Sequence, residues 1–74
     1  MNLIKLPRWW GYLDTDGKIH VKRYTTDRAI VNCEMMPYCK GIFDPFEAAT
    51  YLEAYQKCIQ CYETSRYQEK KGMH

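Results

Sequence analysis

The stretch from Asp44 to Tyr62 constrains this chain most, because it reads as one amphipathic helix against which everything else must pack. Asp44-Pro45-Phe46-Glu47 has the form of a helix start. An Asp at the N-cap can accept from free first-turn N–H groups, and Pro at the next position has no N–H to lose. Glu47, three residues after Asp44, completes a capping-box pattern. Ala48, Leu52, Tyr55, Ile59 and Tyr62 then recur at helical spacing, with Tyr51 and Cys58 on the edge of the stripe. Glu53 and Lys57 form an i,i+4 pair in the favourable orientation. Arg66 interrupts the stripe, so the spacing predicts roughly 18 packed residues, about 27 Å of helix. Lys70 and Lys71 before Gly72 resemble a helix C-terminus, so further polar turns are expected beyond the packed part.

A chain of 74 residues is one domain; at this size about 60% of the unfolded surface is buried on folding, which leaves a thin margin of stability. The net charge of +2 is too small for the strongly basic face of a typical nucleic-acid binder. Seven Tyr, two Trp and two Phe are many for the size; rings left over from the core would form a contact surface. The run from Met1 to Pro7 lacks a signal-peptide core, and no stretch reaches the ~20 apolar residues of a membrane span. Cytoplasmic residence with reduced thiols and no membrane partner is therefore the expectation. Residues 1–8 and 68–74 are expected to be flexible ends of the single domain 1–74.

Trp9–Leu13 and Lys18–Tyr24 read as strands joined by Asp14-Thr15-Asp16-Gly17, since Asp-Gly between β-type runs is a strong hairpin signal. In the second strand Ile19 and Val21 share one face and His20, Lys22 and Tyr24 the other, as in a sheet with one buried and one wet face. For residues 28–36 both strand alternation and helical spacing are present, and a short helix is preferred. Pro37 ends it, and Tyr38–Phe43 reads as a strand leading into the long helix. The fold class is α+β: a three- to four-stranded antiparallel sheet, arranged as a meander, on one long C-terminal helix with a short additional helix.

The candidate binding residues are those of the hairpin's open face: Trp9 or Trp10, Tyr12, His20, Lys22 and Tyr24, with Arg23 nearby. Such aromatic and basic side chains are enriched at protein interfaces; they also stack on and neutralise single-stranded nucleic acid. Cys33, Cys39, Cys58 and Cys61 allow a second reading, a structural zinc held by four thiolates. The five residues between Cys33 and Cys39 exceed the usual spacing, and Cys58-x-x-Cys61 lies deep in the expected helix. Free thiols are therefore preferred and no cofactor is expected, zinc being the alternative. Cys61, away from the stripe, should be the most reactive thiol. His20, the only His before the terminal His74, falls on the open strand face, and no Gly-rich phosphate loop or nucleophile elbow is present. No catalytic residue is assigned.

Trp10-Gly11-Tyr12-Leu13, Thr15-Asp16-Gly17-Lys18-Ile19-His20-Val21-Lys22-Arg23-Tyr24 and Asp44-Pro45-Phe46-Glu47-Ala48 together resemble a pattern in small phage and bacterial proteins, a hairpin followed by a helix. The resemblance covers most of residues 10–60 and brings no catalytic residues; the four cysteines are not part of it. It implies a non-enzymatic accessory protein of a phage or mobile element, acting in the host cytosol by binding and occluding a host protein or complex. Inhibition of a host defence enzyme, as by an anti-CRISPR protein, is one such role. Nucleic-acid binding through the hairpin face and a zinc-stapled structural module remain the alternatives.

Overall fold

A computed structural model describes residues 5–69 of the chain. Strands β1 (Arg8–Asp14), β2 (Ile19–Arg23), β3 (Cys39–Glu47) and β4 (Gln68–Glu69) form one sheet in the order β2-β1-β3-β4. Helix α1 (Asp27–Glu34) joins β2 to β3, and α2 (Tyr51–Glu63) joins β3 to β4. Every neighbouring pair of strands is antiparallel, and the fold is the expected α+β.

The arrangement is not a meander. After β2 the chain passes through α1 to the far side of β1, so β1 is central and β2 an edge. The reason lies in β1 itself. Trp9 and Trp10 point to opposite faces and are both buried. A strand apolar on both faces needs a covering layer on each side, and a helix lies on each. One core unites Trp9, Leu13, Val21 and Phe43 with Ala54 and Cys58 of α2. The other unites Trp10, Cys39 and Ile42 with Cys33 of α1. The alternation in β2 is as expected, with Val21 in the α2-side core and Tyr24 packed against the α1-side core. Helix α1, with Thr26 as N-cap, covers Trp10 and Ile42 on the face expected to be wet, while Lys22 stays exposed there and His20 half-buried.

The helix start expected at Asp44 is not there. Residues 44–47 belong to β3, with Phe46 opposite Trp9 and Glu47 opposite Arg8. Pro45 is tolerated because the pairing skips here: three steps along β3, from Phe43 to Phe46, span two along β1, from Gly11 to Trp9. A proline inside a sheet is confined to such bulges and to edges. The non-local ladder and the packing of Phe46 outweigh the local capping signal. The N-cap is Thr50, whose hydroxyl accepts from the Glu53 N–H at 3.2 Å. Glu53 in turn accepts from the Ala49 N–H at 3.4 Å, a capping box reaching one residue further out.

Helix α2 has 13 residues, fewer than the roughly 18 read from the stripe. Its buried face is also turned, by about one residue's 100°. Ala54 and Cys58 are fully buried, with Tyr55 and Cys61 packed beside them. Leu52 is 64% exposed and Tyr62 40%, so the expected stripe is misplaced. The cause is Gly11, in the middle of β1. A Cβ built there would lie 3.3 Å from the Cys58 sulfur and 2.6 Å from the His20 carbonyl oxygen. The helix approaches the sheet where no side chain intervenes, and only small residues fit the closest contact. Ala48, the first member of the expected stripe, is buried before the helix begins. Its N–H donates to the Pro7 carbonyl at 3.1 Å.

At the ends, Arg8 opens β1 and Gln68–Glu69 pair with β3. Residues 1–4 and 70–74 lie outside the described residues, and with them the rest of the expected flexible ends, the C-terminal signal at Lys70, Lys71 and Gly72, and His74.

Candidate functional site

The hairpin is held from within its turn. Asp14 Oδ1 accepts from the N–H groups of Asp16, at 2.8 Å, and Lys18, at 2.9 Å. Gly17 takes the left-handed backbone, φ 83°, that an L side chain resists. Asp14 Oδ2 accepts from His20 Nε2 at 2.7 Å. These bonds, that from His20 foremost, hold the Asp14 carboxyl below the usual carboxylate range.

His20, so placed, stacks on Tyr12 with ring centroids 4.6 Å apart and planes 10° from parallel. Tyr12 is half-buried and meets Trp10 at 6.3 Å and Tyr38 at 5.6 Å. Burial, above the weaker effect of nearby thiols and Tyr38, raises the Tyr12 phenol pKa, so it stays neutral and able to donate a hydrogen bond.

Between this aromatic row and α1 lies a cleft of about 280 Å³. Trp10, Tyr12 and Lys22 line it from the sheet, Ala29, Asn32 and Cys33 from α1, and Met36 and Tyr38 from the connection to β3. Among the described residues Lys22 is the one charged side chain in this lining. The salt bridges among the described residues are His20–Asp14 and Lys57–Glu53, and Lys22 has no part in them. Two of the lining residues are exposed apolar side chains, Tyr38 at 43% and Met36 at 42%; Met35 and Val31 of the same segment are exposed but do not line the cleft.

The expected binding residues thus separate. Trp10, Tyr12 and Lys22 come together in the cleft, with His20 behind Tyr12. Trp9 is on the opposite face, buried, its indole N–H donating to the Ala48 carbonyl at 2.8 Å. Arg23 lies over the Trp9 ring at 5.1 Å. Tyr24 donates its hydroxyl to Asp27 at 2.6 Å and carries the Arg8 guanidinium 4.4 Å from its ring centre, so its polar tip is engaged internally. That bond to Asp27 is the main cause of its raised phenol pKa. Asn32, Met36 and Tyr38 were not singled out from the sequence. Ala29, Asn32, Cys33 and Met36 fall on one helical stripe, which was the available signal.

The thiols do not meet. Cys33 and Cys39 belong to the α1-side core, Cys58 and the adjoining Cys61 to the α2-side core, and the sheet lies between. The four donors considered for a zinc ion are thus divided between opposite faces of the sheet. Among the described residues no three His, Cys, Asp or Glu side chains gather where they could share an ion. Burial, with a smaller effect of neighbouring Cys61, pushes the Cys58 thiol up to about 12. Cys61 is half-buried at the margin of that core rather than on a solvated face.

No protein-family model matches the chain, and neither the curated proteins nor the solved structures contain a match. No helix of the described residues is long and apolar enough to cross a membrane.

Proposed function

We propose that this chain is a non-enzymatic binding module that seats a protein partner on the face formed by the hairpin and α1. The observation that carries the reading is the open aromatic cleft, with Met36 and Tyr38 exposed in its lining. Methionines adapt to varied partners, and tyrosines give large contact area at small entropic cost. An apolar rim around a concave site is the usual mark of an interaction surface. The likeness of the hairpin, residues 10–24, to small phage and bacterial proteins supports the finer reading: an accessory protein that occludes a host protein, with an anti-defence inhibitor as one instance. Only the hairpin half supports it, because residues 44–47 form a strand where the pattern has a helix.

The test is capture of a partner from host lysate, with and without nuclease, followed by titration of the recovered protein with wild type and Tyr38→Ala. Tyr38→Ala is expected to weaken binding by about tenfold or more, as loss of an aromatic anchor does, with the circular dichroism spectrum unchanged. Equal affinity in the folded variant refutes this surface. Capture that vanishes with nuclease, and affinity for an oligonucleotide falling steeply with salt, refutes the protein-binding reading in favour of nucleic acid.

A further inference from the structure

We propose that the cleft between α1 and the hairpin receives an aromatic side chain from an acidic peptide segment of the partner, with a flanking carboxylate on the Lys22 ammonium. The inference rests on the protein-binding reading and specifies the chemistry of what binds. At about 280 Å³ the cleft lies at the small end of ligand sites, which run from about 300 to 1,000 Å³, and has room for a large side chain. Its walls favour an aromatic ring. Trp10, Tyr12 and Tyr38 offer faces and edges for offset or edge-to-face contact, and Met36 offers a thioether.

The charge pattern selects the neighbours of that ring. Lys22 is the sole charge in the lining among the described residues. Two acids of the hairpin and α1 are engaged elsewhere: Asp14 by His20 and the turn amides, Asp27 by the Tyr24 hydroxyl. Lys22 has no part in the ion pairs among the described residues, so an incoming carboxylate displaces no internal partner. A carboxylate beside the inserted ring pairs with it. A basic segment would be repelled, and this discrimination against wrong partners is what interface charges chiefly supply. Asn32, on the same wall, offers an amide to the backbone of an extended peptide.

The experiment titrates isotope-labelled protein with capped tripeptides and follows the Trp10 indole N–H and Met36 methyl resonances. The probes are aspartate–phenylalanine–glutamate, lysine–phenylalanine–lysine and aspartate–alanine–glutamate. Saturable shifts at both resonances are expected with the first peptide, at an affinity at least about fivefold tighter than with either control. Lys22→Glu should reverse the preference towards the basic peptide, and Lys22→Gln should abolish the discrimination while keeping the ring contact. Lys22 is exposed, so both variants should fold, and their spectra verify it. Equal binding of acidic and basic peptides, or no shift at Trp10 and Met36 with any aromatic peptide, overturns the proposal. A partner whose affinity depends on Tyr38 but not on Lys22 overturns this inference alone. A partner indifferent to Tyr38 overturns the reading beneath it.

Discussion

Gly11→Ala tests the packing on which the fold turns. Gly11 lies in the central strand, opposite Val21 on β2 and Phe43 on β3, and faces Cys58 of α2. The added methyl would sit 2.6 Å from the His20 carbonyl oxygen, 3.3 Å from the Cys58 sulfur and 3.5 Å from Phe43 Cδ2. The first contact is with backbone of a paired strand, which cannot rotate aside, so β1 and β2 must part or twist. Overpacking of this kind costs about 1–3 kcal/mol. The 2.6 Å contact with backbone places this case at about 2–3 kcal/mol. Replacing Gly by Ala in a strand returns roughly 0.5–1 kcal/mol through the unfolded chain, so a net loss of about 1–2.5 kcal/mol is expected. At about 4–8 °C per kcal/mol for a domain of this size, Tm should fall by about 4–20 °C. Urea and thermal denaturation followed by circular dichroism measure it. Adding Cys58→Ala to Gly11→Ala relieves the 3.3 Å contact but leaves the 2.6 Å one, so rescue should be partial. A Gly11→Ala loss within about 0.5 kcal/mol, the range of an ordinary surface change, would refute the close approach of strand and helix. Full rescue by Cys58→Ala would refute the assignment of the strain to the strand pair.

Leu13→Ala should cost about 2–5 kcal/mol, because Leu13 is fully buried between β1 and α2, whereas Leu52→Ala should stay within about 0.5 kcal/mol at 64% exposure; chemical denaturation that ranks them the other way refutes the observed helix face. Asp14, with its carboxyl pKa lowered by His20 and the turn amides, contributes stability that is fully present above its unfolded value of about 3.9 and is lost as pH falls through the lower folded value. Urea midpoints from about pH 6 to pH 2 should therefore fall less steeply in Asp14→Ala than in wild type, and parallel profiles would show that the carboxylate does not hold the turn.

The cleft was half legible. Alternation alone places Lys22 beside Trp10 and Tyr12 on the face away from Ile19 and Val21, since Trp10 and Lys22 are cross-strand partners. It does not reveal what lies opposite. Asn32, Met36 and Tyr38 reach that face because α1 returns across the sheet, and that path is set by which edge of β1 receives β3. Trp9 was ambiguous for the same reason. One residue separates it from Trp10, and only knowing that both faces are covered shows each ring to be core. Tyr24 could not be assigned from its strand position, because Asp27, three residues on, takes its hydroxyl.

Local chemistry determined the turn at Asp14–Gly17, the two faces of β2, the short helix after Thr26 and the α+β class, since each depends on groups within a few residues of one another. Even the true start of α2 was written locally, as Thr50 and Glu53. Two helix starts, at Asp44 and at Thr50, satisfied the same capping rules, and local energies of about 1 kcal/mol cannot choose between them. Pairing of Phe46 with Trp9 chose, by extending β3 past Pro45. The buried face of α2 was likewise settled far from the helix. A stripe of large residues looks like the core when area alone is counted, but Gly11 draws the helix so close that Ala54 and Cys58 must face the sheet. Tertiary structure decided these matters because steric fit acts between residues some forty positions apart, while periodicity along the chain registers only size and polarity.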